Sequence, residues 1–189
     1  MSKQLKNLIF TALLAGLALA LFFLEFPLFP AAGFLKLDFS DIPALMGALL
    51  LGPGWGVLVE LIKNLLELLI KGMGSQMGFG NLMNFAVGVA FVLPFSLILR
   101  RGQKRGSGKS AHIAAGAAGT VSIMAVGLGM NLLVMPLYFK YFVGAEMPMS
   151  AILGVIGYAT ALNAIKGVML SVSALLHQPL GKALHTSAK

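Results

Sequence analysis

The sequence contains no cysteine and few charged residues. Without cysteine there can be no disulfide, no iron–sulfur cluster and no thiolate metal site. Asp, Glu, Lys and Arg make up only 11% of the 189 residues, whereas hydrophobic residues make up 58% and the mean hydropathy is +0.91. An ordinary soluble domain carries about 25% charged residues. The composition therefore predicts a polytopic membrane protein, a single transmembrane domain over residues 1–189 with room for about six spans of about 20 residues.

Complete motifs for nucleotide, metal or catalytic chemistry are missing. The string GSGKS at residues 106–110 lacks the first glycine of a phosphate-binding loop, because position 103 is Gln103. The three histidines, His112, His177 and His185, form no pair with metal-ligand spacing. No nucleophile, base and orienting group form a visible set. We therefore expect no catalytic residue, no metal site and no bound cofactor.

Apolar runs predict six helices in an all-α integral membrane protein. The second run holds only about ten residues before Gly52-Pro53-Gly54, too few to cross a bilayer. We expect this helix to extend through its flanking turns or to be re-entrant, with Ser40 or Asp41 as its N-cap. The expected helices are about 8–24, 43–51, 55–72, 82–99, 113–139 and 151–176.

Small residues recur at every fourth position of the first run, at Ala12, Gly16 and Ala20. Such a ridge lets another helix approach closely. The approaching helix belongs either to the same bundle or to another subunit, and the spacing is compatible with both.

The first connection, residues 25–42, is not a helix. Pro27, Pro30 and Gly33 interrupt helical structure, and LKLDFSD at residues 35–41 alternates apolar and polar side chains as an extended segment does. This connection is too apolar for an ordinary solvated loop. We expect it to fold over the end of the bundle and to act as a lid on a pocket.

Basic residues outnumber acidic ones by 14 to 6, and their distribution predicts the orientation of the chain. Six spans put both termini on one side, and the positive-inside rule places that side in the cytoplasm and the first connection outside. The formal charge of +8 is then a topology signal, so we expect no nucleic-acid partner. The cytoplasmic set is Lys3, Lys6, Arg100, Arg101, Lys104, Arg105, Lys109, Lys182 and Lys189. The opposite set is Glu25, Lys36, Asp38, Asp41, Lys71, Lys140 and Glu146.

One otherwise apolar segment, LVELIKNLLELLIKG at residues 58–72, carries a polar stripe. At about 100° per residue, its five polar side chains fall within roughly a third of the helix circumference. Ionisable groups at membrane depth normally face a bundle interior or a watery cavity. The stripe is therefore a candidate for the functional site. The alternative is an internal ion-pair lattice, Glu60 with Lys63 and Asn64 and Glu67 with Lys71, that holds the helices together.

The later spans carry isolated polar residues at Asn84, Asn131, Asn163 and Lys166. An amide both donates and accepts hydrogen bonds, which suits the edge of a polar heterocycle, while a lysine donates to a carbonyl or neutralises an acid. For each Asn, the alternative is a hydrogen bond between helices. A few convergent polar groups on an apolar wall are typical of a small-molecule site.

The carboxylates leave a second interpretation open. Asp38 and Asp41 lie beside a helix start, where we expect them to cap the helix. A small intramembrane enzyme using that pair, or using Glu60 or Glu67, is the alternative to a binding protein.

Residues 34–72, FLKLDFSDIPALMGALLLGPGWGVLVELIKNLLELLIKG, resemble the signature region of a known family. LKLDFSDIPAL, LGPGWGVLVELIKN and ALNAIKG at residues 161–167 are similar to the riboflavin-specific substrate-binding (S) component of energy-coupling factor (ECF) vitamin transporters, the RibU type. The similarity extends over essentially the whole chain.

The resemblance implies a protein that binds riboflavin from outside and joins a transmembrane coupling subunit and two cytoplasmic ATPases. It implies ligand contacts from the last two helices and the first connection, and coupling-subunit contacts from the small-residue ridge, although here the ridge has Gly16 in place of an Ala. Another vitamin or FMN is the alternative ligand. The implied ligand-binding residues are Asn131, Asn163, Lys166, Asp41, Leu45 and Asn84. With the ligand contacts placed there, we expect Glu60, Lys63, Asn64 and Glu67 to form a polar network that supports the pocket.

Overall fold

The structure is a computed structural model that describes residues 2–30, 35–72, 78–144 and 148–179. Within these ranges the chain forms six α-helices and one two-stranded ladder. The helices are α1 (Lys3–Phe22), α2 (Asp41–Leu50), α3 (Pro53–Lys71), α4 (Phe79–Lys104), α5 (Gly108–Tyr138) and α6 (Met149–Ser173). The strands β1 (Phe26–Pro27) and β2 (Lys36–Leu37) pair in antiparallel fashion. Gly33, Glu146, Lys182, His185 and Lys189, used above, lie outside the described residues.

Four of these helices are long and apolar enough to cross a membrane: α1, α4, α5 and α6. The α2 helix has ten residues, as expected, and its length of about 15 Å is half of a hydrocarbon core of about 30 Å. The α3 helix, with 19 residues, is long enough but carries the polar stripe. All six helices predicted from the apolar runs are therefore present, and the shortest lies inside the bundle with most of its side chains buried.

The hydrophilic segment at residues 100–109 is more helical than its composition indicated. The α4 helix continues to Lys104 and α5 begins at Gly108, leaving a turn of three residues at 105–107. Both helices extend beyond their apolar stretches because the backbone hydrogen bonds of a helix form equally well where the side chains are polar.

The α2 and α3 helices pack as a tight antiparallel hairpin through small residues. A Cβ placed on Gly56 would lie 2.5 Å from Cβ of Ala48 and 2.7 Å from the carbonyl oxygen of Ala44. Close contact of this kind brings two backbones together and fixes the depth at which α3 presents its polar stripe.

We expect Gly56→Ala to destabilise the protein by about 1–3 kcal/mol, because the added methyl group overpacks this contact. Gly54→Ala is the matched control in the same helix, since a Cβ there meets nothing within 4 Å. Thermal unfolding of the purified variants in detergent measures the difference. Equal midpoints for the two variants would contradict the close approach of α2 and α3.

The bundle has two chemically distinct ends. At one end, Arg100 Nη2 donates to the carbonyl of Leu49 at 3.0 Å, and Gln103 contacts His177 at 3.0 Å. At the other end, α1 finishes beside α3, where Lys71 Nζ lies 4.1 Å from the centre of the Phe22 ring. Both strands and the start of α4 are at this second end, so the first connection covers one end of the bundle.

Candidate functional site

A cavity of about 580 Å³ lies at the end covered by the first connection. Its walls come from that connection, the last turns of α3 and α5, the first turns of α4 and the middle of α6. The volume is within the range of about 300–1,000 Å³ typical of small-molecule sites. Apolar side chains, among them Val87, Val134 and Leu162, line it together with a few polar groups.

Three predicted ligand-binding residues converge on the α5–α6 wall of this cavity: Asn131, Asn163 and Lys166. Each is buried. Asn131 Nδ2 donates to the Gly127 carbonyl of its own helix at 2.7 Å, while its Oδ1 atom is buried without a hydrogen-bond partner within the described ranges. A Cβ at position 127 would collide with the Asn163 amide, so this glycine makes room for that side chain. The wall thus holds an amide oxygen, Asn131 Oδ1, that has no hydrogen-bond donor among the described residues.

Lys166 is held by two carboxylates. Its Nζ atom lies 2.8 Å from Asp41 Oδ2 and 3.6 Å from Asp38 Oδ2. The other oxygen of Asp41 lies 2.6 Å from Lys63 Nζ, which also lies 2.7 Å from Glu60 Oε2. One aspartate therefore bridges two buried lysines from α3 and α6.

The buried ionic cluster of Asp38, Asp41, Glu60, Lys63 and Lys166 connects the first connection to α3 and α6. Lys63 also donates to Ser40 Oγ at 3.0 Å, and Asp38 Oδ1 accepts from the Ser40 backbone N–H at 2.7 Å. Asp41 is the first residue of α2, and its carboxylate binds the lysines, so the expected capping role for Asp41 is wrong. Ser40 is the N-cap, without a side-chain cap hydrogen bond. A buried carboxylate needs a cation or hydrogen-bond donors nearby, and here the two lysines supply them.

The polar stripe of α3 points inward except at its end. Glu60, Lys63, Asn64 and Glu67 are buried. The predicted pair between Glu67 and Lys71 is absent from the structure, because Lys71 Nζ lies 3.1 Å from Glu25 Oε1 at the end of α1. Asn64 Nδ2 donates to the Glu60 backbone carbonyl at 2.8 Å instead of to the Glu60 carboxylate.

A charged rim that the sequence analysis missed borders the cavity. Glu25 Oε1 accepts from Lys36 at 2.8 Å as well as from Lys71, and all three residues line the cavity with Phe22. The only sequence signal was the presence of opposite charges at three helix and strand ends. Pairing between them required knowledge of which ends meet.

The remaining predicted site residues divide between the cavity and its surroundings. Asn84 lines the cavity. Asp41 and Leu45 are fully buried outside its lining, Asp41 behind Lys166 and Leu45 in the apolar core.

The small-residue ridge lies on the outer surface of α1. Ala12, Gly16 and Ala20 are exposed, and a Cβ on Gly16 would meet nothing within 4 Å. Thr11, Ala15 and Ala18 form the buried face of this helix instead. The ridge therefore faces away from the described residues of the bundle.

Comparisons with known proteins agree on one family. The sequence model described as ECF transporter, substrate-specific component, matches residues 6–177. The chain is 32% identical over 174 residues to riboflavin transporter RibU of Staphylococcus aureus (strain TCH60), covering 92% of this chain and 89% of that protein. It is 30% identical over 171 residues to riboflavin transporter FmnP of Bacillus subtilis (strain 168), covering 89% and 88%.

A solved structure shows the same fold. The S component of a bacterial ECF transporter superposes with a TM-score of 0.72 at 31% identity, covering 96% of this chain and 99% of that one. The superposition covers nearly all of both chains, and the family model matches nearly all of this one. The protein belongs to the family of substrate-specific (S) components of ECF transporters, and it is a multi-pass transporter component of the prokaryotic cell membrane, not an enzyme.

Proposed function

We propose that this chain captures riboflavin from the extracellular side and delivers it to an ATP-driven ECF module. The observation that carries the proposal is the convergence of Asn131, Asn163 and Lys166 on one mostly apolar cavity. The relatives named riboflavin transporters support the choice of ligand. The flavin ring system is flat and apolar on its faces, with carbonyl and N–H groups along one edge.

The two asparagines suit that edge because each amide both donates and accepts, and Lys166 supplies a donor for a ring carbonyl. Asn84 faces the same space from α4. Leu45 contributes from behind the lining as a core residue, and Asp41 contributes by holding Lys166. Binding by these groups involves no covalent chemistry.

The first connection acts as the lid. Phe29 packs on Tyr158 of α6 with ring centres 5.3 Å apart, and Asp38 and Asp41 connect it to Lys166. The aromatic contact holds the outer part of the lid against α6, while the buried ionic cluster holds its inner end in place. The proposal places the lid outside and both termini in the cytoplasm.

Coupling occurs at the exposed ridge of Ala12, Gly16 and Ala20. A helix of a transmembrane coupling subunit packs there, where small side chains permit close approach, and two cytoplasmic ATPase subunits supply the energy. The exposure of all three residues on α1 supports an intermolecular role. The whole chain acts as a single transmembrane substrate-binding domain.

We expect the purified protein to quench riboflavin fluorescence at nanomolar to micromolar concentrations, because the ring is enclosed between aromatic and polar side chains. Parallel titrations with FMN, biotin, thiamine and pantothenate test the choice of ligand. Folded protein that leaves riboflavin fluorescence unchanged would contradict the proposal. Stronger binding of another vitamin in competition assays would reassign the substrate.

A further inference from the structure

One buried carboxylate of the bundle interior has no ionic partner among the residues that the structure describes. Five of the six Asp and Glu residues lie in the described ranges. Four of them, Glu25, Asp38, Asp41 and Glu60, form ion pairs with lysines. The fifth is Glu67, which makes no ion pair with any described residue within 4.0 Å.

The cations nearest to Glu67 along its helix are engaged elsewhere. Lys63, one turn earlier, contacts Asp41 and Glu60, and Lys71, one turn later, contacts Glu25. Glu67 is only 9% exposed, and its Oε2 atom is buried without a hydrogen-bond partner in the described part of the chain. A buried carboxylate oxygen is costly unless it accepts a hydrogen bond or faces a cation, so a donor brought to Glu67 by a ligand is favourable.

Glu67 faces the same cavity as the amide groups of α5 and α6. The side chain lines the cavity from α3, whereas Asn131, Asn163 and Lys166 line it from α5 and α6. A riboflavin whose ring edge meets the amide wall still has a sugar-alcohol chain with several hydroxyl groups to place. Asn81 and Asn84 make the adjoining α4 wall polar as well.

We propose that Glu67 accepts hydrogen bonds from the hydroxyl groups of the ligand side chain and selects the neutral vitamin over its phosphorylated form. The inference rests on the proposed function. Hydroxyl groups donate to a carboxylate strongly. The phosphate of FMN is largely ionised at neutral pH, so it can donate few hydrogen bonds to Glu67. Its negative charge also repels the carboxylate.

The test uses three flavins that differ only in the side chain: riboflavin, FMN and lumiflavin, in which a methyl group replaces the sugar alcohol. Dissociation constants are measured by fluorescence quenching on the purified full chain and on Glu67→Gln and Glu67→Asp. The aspartate variant is the matched control because it keeps the charge.

In Glu67→Gln, we expect riboflavin binding to weaken about tenfold, the usual effect of losing one charged hydrogen bond, with lumiflavin binding unchanged. The preference for riboflavin over FMN should fall in this variant and persist in Glu67→Asp. The unfolding midpoint without ligand should rise in Glu67→Gln, since a buried carboxylate with no ion pair to any described residue is replaced by a neutral amide. Opposite effects on stability and binding separate ligand recognition from a structural role.

Each of the following results would overturn the inference. Unchanged riboflavin affinity and an unchanged preference over FMN would show that the side chain of the ligand lies elsewhere. Equal losses for riboflavin and lumiflavin, or a variant that fails to fold, would show that Glu67 supports the cavity itself. If the unsubstituted protein binds no flavin, the proposed function fails together with this inference.

Discussion

Asp41→Asn is expected to be the most destabilising of the substitutions considered for this protein. The change leaves Lys63 and Lys166 buried without the carboxylate that they share at 2.6 Å and 2.8 Å. Breaking a buried ion pair on one side typically costs about 3–5 kcal/mol, because the remaining charge is left uncompensated. We expect a large drop in the midpoint of thermal unfolding and a reduced yield of monodisperse protein in detergent.

The chain provides a matched control in Glu25→Gln. Glu25 also bridges two lysines, Lys36 and Lys71, but the side chains of those lysines are 42% and 39% exposed. Exposed ion pairs contribute only about 0–1 kcal/mol. Size-exclusion profiles after graded heating compare the two variants, and similar profiles would contradict the central role of Asp41.

A second change tests the mechanism of that loss. In Asp41→Asn, Lys63 keeps Glu60 and Lys166 keeps only the longer contact to Asp38 at 3.6 Å. Lys166→Met added to Asp41→Asn removes the lysine with the weaker remaining partner, so the double variant should recover part of the lost stability. No recovery would mean that the packing of the aspartate, and not its charge, holds the first connection in place.

The double variant Asn131→Ala and Asn163→Ala is expected to weaken riboflavin binding by roughly 30- to 1,000-fold, from about 1–2 kcal/mol for each lost hydrogen-bonding amide. Expression should be retained, because the described hydrogen bond of the Asn131 side chain is to a carbonyl of its own helix. Fluorescence quenching and the yield of folded protein measure both effects. Lys166 is left intact because its removal would also disturb the ionic cluster.

Asn64→Ala is the control for this pair. Asn64 Nδ2 donates to the carbonyl of Glu60 at 2.8 Å, as Asn131 Nδ2 donates to that of Gly127 at 2.7 Å, and both residues are buried. Asn64 does not line the cavity. A loss of affinity in Asn64→Ala as large as that in the double variant would place the ligand nearer to α3 than we propose.

The sequence was informative wherever the signal was local. Apolar runs and the Gly52-Pro53-Gly54 break gave the six helices, with α2 at ten residues, because hydrophobic periodicity acts over neighbouring positions. Bounds were less accurate where polar residues extended a helix, as at Lys104 and Gly108. The inward direction of Glu60, Lys63, Asn64 and Glu67 also followed from helical periodicity and the cost of facing lipid.

The choice of ionic partners depended on tertiary structure. Spacing of four residues favoured a pair between Glu67 and Lys71, yet Lys71 contacts Glu25 because α1 ends beside the last turn of α3. Asp41 looked like a cap for its own helix, yet it bridges Lys63 and Lys166 from two other helices. Contacts between residues far apart in the chain leave no periodic trace in a single sequence.

The sequence by itself determined the membrane character, the helices, the motif resemblance and the three polar residues of the α5–α6 wall, since each depends on residue type and local spacing. Only the tertiary structure decided that those residues share a cavity with Glu67, that the ridge of α1 is exposed, and that Asp41 joins two helices. Packing determines which side chains meet across helices, and that leaves Glu67 as the carboxylate without an ionic partner in the described interior.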